Sequence, residues 1–135
     1  MMYIGVDFDG TIVDHNRHGM LGTPVPGAIK WMKKWLELDA RLILFTMRAD
    51  NSEYFNRPVL TEAVDYLNNN GISLFGVNTN PTQSEWTSSP KVWAHVYIDD
   101  IAFGCPLIHP EGFVTACVDW SIVGPSVVEM LKRNI

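Results

Sequence analysis

The stretch Tyr3-Ile4-Gly5-Val6-Asp7-Phe8-Asp9-Gly10-Thr11-Ile12 constrains this chain most, because an apolar run of strand character stops there on two carboxylates, a glycine and a threonine. Side chains alternate between faces along an extended segment, so Asp7 and Asp9 point one way and Phe8 the other. A buried strand that ends in acids belongs in an open α/β sheet, where the crevice beyond the carboxyl ends of the strands is the ligand site. Gly10 lets the backbone leave the strand sharply, with a positive φ if the turn requires it. Two carboxylates this close repel each other, and burial sharpens the repulsion unless a cation or a shared proton relieves it. A divalent metal would answer that need. The plainer alternative is an Asp-x-Asp-Gly turn with no chemistry attached.

Matching groups do recur downstream. Arg41 to Phe45 is continuously apolar after its first residue, as expected of a strand buried on both faces, and it ends in Thr46-Met47-Arg48. Ile72 to Val77 predicts a third strand ending in Asn78-Thr79-Asn80-Pro81, and Ala94 to Ile98 a fourth ending in Asp99-Asp100. Between Ala28 and Leu38, the residues Ile29, Met32, Trp35 and Leu36 share a helical face, and Lys30, Lys33 and Lys34 form a solvated opposite side. Pro58 opens a second helix through Leu60, Ala63, Val64 and Leu67, stopped by Asn68-Asn69-Asn70-Gly71. Ile108 and the stretch from Phe113 to Val118 suggest edge strands, and Val123 to Arg133 a closing helix. This order predicts an α/β fold: a single doubly wound, Rossmann-like domain over residues 1–135, three-layered, with a mainly parallel sheet and helices on both faces.

Composition narrows the function classes. A formal net charge of −5 argues against clamping nucleic acid through many phosphate contacts, although it leaves a small anionic substrate open. No apolar run reaches the length of a membrane span, and a strand beginning almost at Met1 leaves no room for a leader, so a cytoplasmic location is the default expectation. Cys105 and Cys117 fit no metal spacing and read as reduced, packed thiols. The passage from Asp14 to Thr23 has no period and reads as a loop. It follows directly on the acidic strand end, so it could fold over the site as a flap and offer His15, Arg17 or His18, although the favoured reading of each residue taken separately is a solvated loop position.

Taken in order, Asp7-Phe8-Asp9-Gly10-Thr11, Thr46, Lys91 and Asp99-Asp100 give the chain a resemblance to the haloacid dehalogenase-like superfamily over nearly its whole length. The resemblance implies a Mg2+-dependent phosphatase. Asp7 would be the nucleophile that forms an aspartyl-phosphate, and Asp9 the acid that protonates the leaving oxygen and then activates water. Magnesium would be held by Asp7, Asp9 through its backbone carbonyl, and one or both of Asp99 and Asp100. Thr46 and the backbone amides after Asp7, through Phe8, Gly10 and Thr11, would bind phosphoryl oxygens, and Lys91 would offset their charge. An acid at position 9 favours phosphoryl transfer over dehalogenation.

The segments between Thr11 and Thr46 and between Thr46 and Lys91 are already used by ordinary elements, so no cap domain fits. The site would then be open to a large substrate or shielded by a second copy in a homo-oligomer. Arg48, Asn78, the Asp14–Thr23 loop and the passage from Thr82 to Ser89 would select among small phosphorylated substrates. Two other classes remain at this point: a receiver-like signalling module that accepts a phosphoryl group, and a binding protein that keeps the fold without catalysis.

Overall fold

The computed structural model describes residues 1–16, 18–51 and 53–133 of the 135. Its centre is a four-stranded parallel sheet of β1 (Met2–Val6), β2 (Ala40–Leu44), β3 (Leu74–Val77) and β4 (Val96–Ile98), in the order β3-β2-β1-β4. The helices are α1 (Ala28–Glu37), α2 (Val59–Asn69) and α3 (Trp120–Arg133), and a short antiparallel pair, β5 (Leu107–Ile108) and β6 (Cys117–Val118), lies apart from the main sheet. The α/β class and the parallel sheet match the expectation. Among the described residues no cap is inserted between the strands. Nor, among the described residues, is any helix long and apolar enough to cross a membrane.

β1 is buried along its whole length because it is flanked on both sides, with Ile4 opposite Leu42 on β2 and Val96 on β4. Its alternation assigns the two faces of the sheet. Met2, Ile4 and Val6, with Leu42 and Leu44, pack into one core with Met32 and Trp35 of α1, Ala63 and Leu67 of α2, and Val123 and Val127 of α3. Tyr3 and Ile43 point the other way, onto Val92, Phe75 and Ala94.

All three helices therefore lie on one face, which corrects the expectation of helices on both. The connection from β3 back past β1 to β4 must cross the opposite face to keep its right-handed sense. That segment contains Pro81, Ser84, Ser88, Ser89 and Pro90, and it forms one 3-10 turn over 83–85 and no longer helix. Side chains do the work that a helix ladder would otherwise do. The buried Gln83 donates to the carbonyls of Ser89 and Lys91 at 3.0 and 2.6 Å and accepts the Trp93 amide at 2.9 Å. Aromatic rings complete the layer, with Tyr3 against Phe75 at 5.5 Å and against Trp93 at 4.9 Å.

α3 begins at Trp120, earlier than the sequence suggests, because the Asp119 carboxylate accepts the Ser121 amide and hydroxyl at 3.1 and 2.6 Å and so caps the first turn. Where α3 crosses α1, Trp35 donates through Nε1 to the Gly124 carbonyl at 3.0 Å, and a Cβ on Gly124 would lie 2.3 Å from the Trp31 ring. Helix propensity alone favours alanine there by about 1 kcal/mol. Overpacking against a wedged indole opposes it and decides the sign, so Gly124→Ala is expected to destabilise by about 1–3 kcal/mol in urea titration. An unchanged midpoint would mean that Trp31 turns aside freely.

The β5–β6 hairpin and the start of α3 brace the backbone leaving β1. Val118 N–H donates to the Gly10 carbonyl at 3.1 Å, Val114 N–H to the buried Asp14 carboxylate at 2.7 Å, and Trp120 Nε1 to the Thr11 carbonyl at 2.8 Å. The late part of the chain thus fixes the turn that the first strand opens.

Candidate active site

The turn after β1 and the end of β4 meet at one rim. The Asp7 amide donates to the Ile98 carbonyl at 2.9 Å, so the residue that follows β1 is tied to the last residue of β4. Asp99 and Asp100 come next, and Asp7, Asp99 and Asp100 each offer a carboxylate oxygen within 4.8 Å of the others. Thr11 is fully buried behind them. Its hydroxyl donates to Asp7 Oδ2 at 3.0 Å and accepts the Asp100 amide at 3.2 Å. Gly10 has φ +81°, and a Cβ there would meet Asp100 at 2.3 Å and His15 at 2.5 Å, so only glycine lets these groups close on one another.

Three carboxylates in partial burial carry an electrostatic cost. Burial pushes the Asp7 carboxyl up to about 8, aided by the charge of Asp99 and a hydrogen bond with Asp100, against opposing hydrogen bonds from Thr11 and the Phe8 amide. Asp99 is also raised, chiefly by burial. The sign for stability follows from proton linkage. Folded Asp7 binds its proton more tightly than the unfolded chain does, so metal-free stability is lost as pH rises from about 4 to about 8. A cation among the carboxylates would remove that loss. Thermal melts in EDTA should therefore show a Tm that falls between pH 5 and pH 8, and Mg2+ should raise Tm more at pH 8 than at pH 5. Equal metal shifts at both pH values would show that the cluster is not where the ion binds.

Asp9 faces a different partner. Arg48 grips it with Nε to Oδ2 at 2.8 Å and Nη2 to Oδ1 at 2.7 Å. The remaining Arg48 donors go to backbone carbonyls, with Nη1 to Gly19 and Val59 at 2.9 and 3.1 Å and Nη2 to Met20 at 3.2 Å. A guanidinium has five N–H donors, and here all five are used. The group is buried and lies 4.9 Å over the Phe8 ring. Arg48 thus joins the β1 turn, the Asp14–Thr23 loop and the first turn of α2.

Around these groups is a cleft of about 420 Å³. Asp7, Asp9, Asp99, Asp100, Thr46 and Arg48 line it, with His15, Asn16 and Gly19 from the loop after β1. Phe45, Met47, Phe55, Val59 and Ile101 supply an apolar wall. His15 Nε2 lies 3.1 Å from Asp100 Oδ2, so the loop does fold over the site and delivers this histidine. Thr46 is oriented by its neighbours. Its amide donates to Asn78 Oδ1 at 2.8 Å, and its hydroxyl accepts the Arg48 amide at 3.1 Å.

Several expected roles move. Lys91 is exposed, lies five positions ahead of the first residue of β4 at the N-terminal end of that strand, and does not line the cleft, because the 79–95 segment carries it away from the carboxylates. Arg48 reaches the cleft, but its donors are committed to Asp9 and backbone rather than to a substrate. The Asp9 carboxylate correspondingly stands outside the Asp7–Asp99–Asp100 cluster. Phe8, Gly10 and Thr11 shape the carboxylates instead of presenting amides to a phosphoryl group. The Phe8 amide bonds Asp7, and the amides of Gly10 and Thr11 donate to the Val13 and Phe8 carbonyls at 2.7 and 3.2 Å. Asn78, in the left-handed region at φ 55°, holds the Thr46 loop, and with most of 82–89 it borders a separate depression. His18 is exposed and outside the cleft, and Arg17 lies outside the described residues.

The apolar wall was missed, although Phe45 and Met47 flank Thr46 and Ile101 follows Asp100 directly. Cys105 and Cys117 are free thiols, both raised mainly by burial, Cys117 to about 11.

No family model and no curated protein matches this chain. Among solved structures it is similar to a conserved protein from Bacteroides thetaiotaomicron, at 29% identity and a TM-score of 0.69, over 96% of this chain and 91% of that one.

Proposed function

We propose that the chain is a Mg2+-dependent phosphomonoester hydrolase working through an aspartyl-phosphate on Asp7. The observation that carries the reading is the convergence of Asp7, Asp99 and Asp100 at the carboxyl ends of two adjacent strands, beside Thr46 and Asp9 in one cleft. The donor set fits the ion. It consists of hard carboxylate oxygens, and without a counter-charge it holds the Asp7 proton to about pH 8. Mg2+ bound there would neutralise the carboxylates and withdraw charge from a phosphoryl oxygen.

The chain's own residues supply the rest. Asp7, aligned by Thr11 and the Phe8 amide, attacks phosphorus with its carboxylate oxygen as the bond to the leaving oxygen breaks, and that oxygen takes a proton from Asp9, which has picked it up from water with one Arg48 contact open. Water activated by Asp9 then cleaves the acyl phosphate and returns Asp7. Both Asp9 oxygens are engaged by Arg48, so each proton transfer requires one of those contacts to open while the other keeps the carboxyl plane in place. The Thr46 hydroxyl accepts the Arg48 amide, which leaves its own proton to donate, and that proton would go to a phosphoryl oxygen.

Phosphate release from a panel of phosphomonoesters, with Mg2+ and with EDTA, tests the reading. Release is expected with the metal and absent in EDTA. Release that survives EDTA, or none from any ester, would sink it.

A further inference from the structure

Two unlike kinds of residue line the cleft. The acidic cluster and Thr46 supply its polar lining, and Phe45, Met47, Phe55, Val59 and Ile101 its apolar lining. These apolar residues come from three separate segments: the turn after β2, the approach to α2 with its first residue, and the turn after β4. Met47 and Ile101 are 97% and 84% exposed, so two apolar side chains of the cleft lining stand open beside the carboxylates. Apolar surface of this kind recovers free energy only when something apolar lies on it.

Charge on the substrate body finds little here. Among the described residues no lysine lines the cleft, and its arginine, Arg48, has every N–H donor committed. His15 is held against Asp100. A second phosphate or a carboxylate on the substrate would find no free cationic partner among these groups. Polyhydroxylated bodies fare poorly too, because an apolar wall offers no partners for their hydroxyls.

Resting on the phosphohydrolase reading, we propose that the site selects monophosphate esters of apolar, preferably aromatic, alcohols carrying no second charge. The phosphoryl group sits at Asp7 and the organic group lies against Phe55, Met47 and Ile101. Discrimination is then set by burial of the leaving group and not by hydrogen bonds to it.

Two alkyl phosphates with alkoxide leaving groups, phenethyl phosphate and glycerol 3-phosphate, separate recognition from aryl leaving-group reactivity. With Mg2+, kcat/KM is expected to favour phenethyl phosphate by at least about tenfold, the scale an apolar pocket gives for one or two buried methylenes. Met47→Gln and Ile101→Gln change exposed positions at nearly constant volume, and each should cut that preference severalfold, with an unchanged Tm showing that the fold persists. Equal or reversed preference overturns the proposal.

Binding is read independently of turnover by calorimetry with phenethylphosphonate and 2-hydroxyethylphosphonate in Mg2+. If no ester is hydrolysed but the phenethyl compound binds at least about tenfold tighter, the hydrolase reading fails and the apolar recognition stands. If neither phosphonate binds, or both bind equally, the recognition fails whatever the turnover.

Discussion

Asp7→Asn is expected to abolish phosphate release, by about 10⁴-fold or more, while making the metal-free protein more heat-stable near pH 8. The loss follows from removing the attacking oxygen anion, because a nucleophile cannot be replaced by the binding groups around it. The gain follows from the cluster's own electrostatics. The amide keeps the shape and can still accept from Thr11, yet it removes a carboxyl whose ionisation is opposed by burial and by Asp99. The decline in Tm between pH 5 and pH 8 should flatten in this variant, and the Mg2+-induced rise should shrink. Activity assays and melts on the same preparations check all three. A variant that keeps more than a tenth of the parental rate would exclude covalent chemistry at this residue.

Arg48→Met should cost the largest share of stability of any single change near the cleft. Its side chain is only 5% exposed, and its loss strands the Asp9 carboxylate and three backbone carbonyls, those of Gly19, Met20 and Val59. Breaking a buried ion pair from one side costs about 3–5 kcal/mol, much of it the charge left behind. Urea unfolding of the single variant measures the loss. In the double variant with Asp9→Asn, a good part of it should return, because the orphaned charge is gone. A loss below about 1 kcal/mol would show that solvent already screens this pair.

The sheet and the acid cluster were legible because both are written locally. β1 reads as a strand from its period, and Asp7 and Asp9 lie within its own continuation. β4 announces itself in the same way through Val96-Tyr97-Ile98 before Asp99. Lys91 was not legible, since its place depends on the path of a segment with no period, set by Gln83 side-chain bonds and by Tyr3 against Trp93. The partner of Arg48 was hidden for another reason. Its choice between a substrate and Asp9 depends on two strands lying side by side with Val6 opposite Leu44, a register that puts both continuations within reach of each other. Once parallel pairing of β1 and β2 is assumed, Asp9 falls three positions past Val6 and Arg48 four past Leu44, close enough along the two continuations for a long side chain to bridge. The missing helix on the second face had a visible cause as well, in the prolines and serines between β3 and β4.

The strand order has a consequence for biosynthesis. β1 is made first but gains its second neighbour only when Val96 to Ile98 has left the ribosome, so during most of translation one side of it is an unpaired template. Closing that gap requires a long loop to be ordered before the pairing rewards it, which makes docking of β4 a late and slow step. Asp99 and Asp100 arrive with that strand, so a chain halted before position 96 would expose a sticky edge and also lack the ligands a cation could use to hold it shut.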